Sequence, residues 1–135
     1  MAVNSLTEQM VSAAANAEAL TDIYFNQELD YSEDSIAVLE SLVNDIHYSM
    51  PDGKSQKNIN LVCQLWGAYI AEVFRRNIGG EWINWEDEYG KVIAFQSGGV
   101  KVFPSDKVHK RIINGAEHNL YDYYHTFHDL MTKSK

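Results

Sequence analysis

The period of the apolar residues changes at Gly79-Gly80, and that change limits what the chain can fold into. Up to Asn77 the apolar positions recur every three or four residues, as on one face of a helix; from Glu81 to Phe103 they fall instead in short runs rich in aromatic and β-branched residues, bounded by turns, as in strands. Helices therefore come first and a sheet follows. The two must share one core, because 135 residues are too few for two, so a single α+β domain over residues 1–135 is expected. A first helix is predicted from about Leu6 to Phe25, on Leu6, Met10, Ala14, Ala17 and Leu20, behind a Ser5-Leu6-Thr7-Glu8 capping box. A second carries Ile36, Leu39, Leu42, Val43 and Ile46 to about Tyr48, with Ser32 as its N-cap and Tyr31 stapled onto Ile36. Met50-Pro51-Asp52-Gly53 is turn chemistry. The third helix, about Lys57 to Asn77, is central, with Ile59, Val62, Trp66, Tyr69, Ile70 and Val73 in one broad stripe. Gly67 within it costs about 1 kcal/mol of helix propensity relative to Ala, which a close backbone neighbour would offset.

Past the glycines, Glu81 to Glu86, Lys91 to Gln96 and Val100 to Phe103 read as three strands joined by short turns, an antiparallel meander. Trp82 and Trp85 have opposite parity, so one faces the helices and the other faces out. Pro104-Ser105-Asp106 stops the sheet and opens a last helix, whose buried side is Val108, Ile112, Ala116, Leu120, Tyr124, Phe127 and Met131. Asn114-Gly115 falls in its middle and predicts a break or kink there rather than one straight rod. The expected fold is thus α+β: three N-terminal helices, a three-stranded antiparallel meander and one C-terminal helix kinked near Asn114-Gly115.

Charge is divided as sharply as period. Residues 1–53 hold ten acids and no Lys or Arg, whereas the rest holds all 11 bases and nine acids, for a net −8 overall. An uncompensated anionic surface attracts basic partners and repels nucleic acid. The expected partner-binding residues are Glu33, Asp34, Glu40 and Asp45, with Trp85, Glu86, Asp87 and Glu88 as a second cluster. No run approaches the roughly 18 to 20 apolar residues that span a bilayer, and no basic-then-apolar leader opens the chain. One cysteine, Cys63, permits no intrachain disulfide. A cytoplasmic protein, with no membrane partner, follows as the expectation.

Catalytic signatures are missing. Glu117, His118, Asp122, His125, His128 and Asp129 crowd the last helix, and four of them stack along one face. That face lies opposite the apolar stripe and is expected to be wet, and one helix supplies too few converging metal ligands. Cys63 sits at the margin of an apolar face, where a thiol behaves as a small hydrophobe. No Gly-x-Ser-x-Gly elbow or phosphate-cradling loop occurs. The expectation is no catalytic residue, metal or cofactor, and hence no enzyme. Glu72 and Arg76 form an i, i+4 pair, and with Arg75 they could line a groove beside Trp82 and Trp85.

The run Leu65-Trp66-Gly67-Ala68-Tyr69-Ile70-Ala71-Glu72-Val73-Phe74-Arg75-Arg76-Asn77-Ile78-Gly79-Gly80-Glu81-Trp82 resembles a family of small bacterial proteins without an assigned activity. Its members look like Gly-Ala-Tyr-x-Gly-Glu-Val-x-x-Arg-x-x-Gly-Gly-x-Trp here. Leu29-Asp30-Tyr31-Ser32 is similar too, as are Val102-Phe103-Pro104, Val108, Lys110-Arg111 and Asn114-Gly115, so the likeness spans roughly residues 29–127. Ala71 departs from the pattern, standing where the family carries a second glycine. The resemblance implies a compact α+β domain in which Tyr69, Glu72, Arg75 and Trp82 sit together. In size and charge the chain is also similar to bacterial immunity proteins. Two functions are therefore expected to compete: an immunity-type inhibitor that binds a basic toxin or nuclease, and a small-molecule-binding regulatory domain with a pocket around Tyr69, Glu72, Arg76 and Trp82.

Overall fold

Trp66, Tyr69, Ile70, Val73 and Phe74 are all fully buried, which places the third helix at the centre of the molecule. A computed structural model describes residues 5–49, 56–88, 90–115, 117 and 119–133. The elements in order are α1 (Ser5–Phe25), α2 (Ser35–Ser49), α3 (Gln56–Ile78), β1 (Glu81–Asp87), β2 (Gly90–Ser97), β3 (Val100–Val102), α4 (Pro104–Asn114) and α5 (Leu120–Lys133). The Ser5 side chain of the expected capping box lies outside the described residues, as do the turn at 50–53, Ala116 and His118.

Three faces of α3 are used: it packs against α1, α4 and α5. Gly67 permits the crossing with α4, since a Cβ there would stand 2.7 Å from the Ser105 backbone. The close neighbour that offsets its poor helix propensity is therefore the first turn of α4. At the other end Gly79, at φ +89°, stops the helix and returns its N–H to the carbonyls of Phe74 and Arg75. Ala71 is buried in the core. The indole N–H of Trp66 donates to Thr21 Oγ1 at 3.1 Å, tying α3 to α1.

β1, β2 and β3 form an antiparallel meander in that order. Trp82 lies opposite Phe95 and Phe95 opposite Val102, so the three share the face turned to the core, and all are buried. Trp85 takes the other face, where the Lys101 ammonium stands 3.6 Å from its ring centroid. The β1–β2 hairpin extends past the core, leaving Val92 and Ile93 exposed.

The expected single kinked C-terminal helix is corrected to two separate helices, making five helices among the described residues. Gly115, at φ +96°, closes α4 by donating its N–H to the Arg111 carbonyl. A new start follows at once. Asn119 Oδ1 accepts the Asp122 N–H at 3.0 Å as an N-cap, and Glu40 Oε1, reaching from α2, accepts the Leu120 N–H at 2.9 Å. A kinked helix satisfies its own backbone; here a side chain 80 residues away does so.

Candidate functional site

The polar residues at the end of α3 form a clamp on the loop that leads into α2. Glu72 is fully buried. Its Oε1 accepts from Arg75 Nε at 2.6 Å, and its Oε2 from Arg75 Nη2 at 2.7 Å and Arg76 Nε at 3.0 Å. Burial pushes the Glu72 carboxyl up, but hydrogen bonds and charge from the two guanidinium groups outweigh it and hold the group below its ordinary value. Arg76 then stacks over the Tyr31 ring, 3.6 Å from the centroid. Tyr31 sits at φ +65°, a strained conformation for a bulky residue that costs about 1–3 kcal/mol. Its N–H donates to Tyr69 Oη at 2.8 Å and its carbonyl accepts from Asn77 Nδ2 at 3.0 Å. Because Ser35 gives its proton to the Ser32 carbonyl, Tyr69 donates to Ser35 Oγ, at 2.6 Å. Ser32 Oγ in turn accepts the Ser35 N–H, the capping contact read from the sequence. Burial, and then the Glu18 carboxylate, push the Tyr31 phenol up to about 12.

The acids expected to bind a partner divide between interior and surface. Glu40 receives Arg111 in a two-nitrogen grip, Nε at 2.9 Å and Nη2 at 2.6 Å, and Asn44 Oδ1 takes Nη2 as well. Arg111 is 1% exposed, a buried cation that the sequence analysis missed, although it falls three residues after Val108, at the edge of the apolar stripe of α4. Glu33 Oε2 accepts from Tyr124 Oη at 2.6 Å, with His128 Nε2 at 3.2 Å. Asp34, Asp45, Glu86 and Glu88 are exposed, and the Asp87 side chain lies outside the described residues. Glu18, Asp22 and Glu28, which were not singled out, line one depression between α1 and the following loop. Ile23, the residue after Asp22 on α1, is 72% exposed.

On the last helix, His125 stands against Tyr121 and Tyr124, whereas Asp122 and Asp129 are exposed. No group of three or more His, Cys, Asp or Glu among the described residues is arranged to hold a metal. Cys63 is buried, and burial pushes its thiol up to about 11. A thiol so placed is a poor nucleophile at neutral pH.

Trp82 leads to a different place. It lines a cleft of about 730 Å³ between the far half of the sheet and the helices α1 and α3, closed at one side by the start of α4. Tyr69, Glu72, Arg75 and Arg76 do not line it. Met10, Leu65, Ile93 and Phe103 supply apolar wall, with Lys91 and Asp106 among the charged residues. Trp82 is 4% exposed, and its buried indole N–H has no acceptor among the described residues. A buried donor left unpaired costs about 1–3 kcal/mol. Arg111 Nη1, Tyr123 Oη and His125 Nε2 share that condition, but none of these residues lines the cleft. The missed residues here, Lys91, Val92 and Ile93, carried one legible signal: adjacent apolar residues on a hairpin leave one on each face of the sheet.

Fold and site together define an α+β protein whose motif residues build a clamp and whose sheet roofs an open cleft. Residues 43–124, more than half the chain, match the family described as Domain of unknown function (DUF3806), and the chain belongs to that family. No curated protein and no solved structure matches it. No helix among the described residues is long and apolar enough to cross a membrane.

Proposed function

We propose that the chain is a protein-binding inhibitor of the immunity type, neutralising a basic toxin or nuclease domain through the acids of its N-terminal region. One observation carries the reading. Glu18, Asp22 and Glu28 line one depression, and exposed Ile23 follows Asp22 on the same helix, within a stretch of 53 residues that contains no Lys or Arg. Carboxylates around an exposed apolar side chain suit a basic partner: the charges speed encounter and the apolar contact slows release. Nuclease domains are basic because they hold phosphates, so an anionic surface can occupy the same ground. Glu33 and Glu40 belong to the fold in this reading, and contact falls to Glu18, Asp22, Glu28 and Asp34, with Glu86 and Glu88 on the hairpin as a second cluster.

The test uses a purified basic nuclease domain of a bacterial toxin, taken from the product of an adjacent gene where that product carries one, measured by stopped-flow association. The association rate constant is expected to fall by about tenfold or more between about 50 and about 300 mM salt. The double variant Asp22→Lys with Glu28→Lys should slow it further at low salt. Binding that ignores both salt and charge reversal, or no binding at all, overturns the proposal.

A further inference from the structure

We infer that the cleft beneath the sheet is a binding site for a small apolar acid. Its volume, about 730 Å³, falls in the range of pockets that enclose small molecules, and its walls are mostly apolar. The polar groups left over there decide the chemistry of the occupant. Trp82 carries a buried indole N–H without an acceptor among the described residues, and Lys91 brings an exposed ammonium to the rim, across the strands from Glu86. Both are donors. The opposing charge, Asp106, is already taken by Lys110 at 3.1 Å and sits in the first turn of α4, where a carboxylate is favoured. Gln64 and Asn84 can donate or accept. A ligand that completes this site therefore brings an acceptor, and the ammonium of Lys91 makes a carboxylate the best one. The apolar remainder of the molecule lies against Met10, Leu65, Ile93 and Phe103. This surface is separate from the acids of α1, and of the second acid cluster Glu86 lies across the strands from Lys91; small-molecule binding measured with no basic partner present keeps the two readings distinguishable.

Decanoate, decanol and decylamine, equal in chain length and different in head group, test the inference by calorimetry and by the shift in unfolding midpoint. Decanoate is expected to bind one molecule per chain and to raise the midpoint, with decanol about tenfold weaker and decylamine weaker again. Lys91→Ala, a change at an exposed side chain, should cost decanoate about tenfold and leave decanol unchanged. Trp82→Phe keeps an aromatic wall and should weaken decanoate more than decanol. Decylamine binding as well as decanoate would overturn the inference, as would uptake of several molecules per chain. No binding of any of the three, or an unchanged decanoate affinity in Lys91→Ala, would overturn it too.

Discussion

Four polar side chains of α2, those of Ser35, Glu40, Asn44 and His47, reach partners on other elements: Tyr69, Arg111 for both Glu40 and Asn44, and the Ile112 carbonyl. Beneath the sheet the pattern reverses. Walls there are mostly apolar, the buried Trp82 indole N–H has no acceptor among the described residues, and Lys91 is exposed at the rim. A helix held by paired polar groups has one position, because moving it strands charges in a dry interior. A cleft with apolar walls and a buried donor left unpaired gains when something fills it. The contrast separates residues that fix the fold from residues free to bind.

The contrast breaks first at Glu40. Glu40→Ala leaves the Arg111 guanidinium buried without its counter-charge and removes the acceptor for the Leu120 N–H. A loss of about 3–5 kcal/mol in urea unfolding is expected. A loss near zero would mean that the α2 side tolerates unpaired charge as well as the sheet side does. Next comes Glu72. Glu72→Gln should cost about 1–3 kcal/mol at neutral pH, and the deficit should shrink in acid. The sign follows from its lowered pKa. The contribution of Glu72 is present above its ordinary value, 4.5, and is lost as pH falls through the lower folded value. Unfolding curves for the two proteins should therefore draw together as pH falls below that ordinary value. The smallest effect belongs to the cleft: Ile93→Thr, at an exposed rim position, should move the unfolding free energy by about 0.5 kcal/mol or less. A larger change would mean that the cleft is part of the folding core.

The motif residues divide along the same line. Gly67, Tyr69, Glu72, Arg75 and Gly79 act on the fold: one admits α4, three hold the loop before α2 or the end of α3, and one stops the helix. Trp82 ends the motif and alone among these residues lines the cleft. Resemblance in sequence grouped Trp82 with Tyr69 and Glu72. Strand parity accounts for the difference, since Trp82 faces inward from β1 and packs edge-on against Phe95.

Sequence alone determined what depends on neighbours a few residues apart. The stripe of α3, the cap at Ser32, the stop at Gly79 and the opposed faces of Trp82 and Trp85 follow from local period and turn chemistry, which act over one or two turns of chain. Tertiary structure decided what depends on distant partners. The start of α5, the burial of Arg111 and the loss of Glu40 from the surface all draw on one carboxylate, paired with Arg111 across 71 residues. The cleft draws its walls from α1, α3, the sheet and α4. No period records such meetings, because side chains from separate elements converge only once the helices have packed.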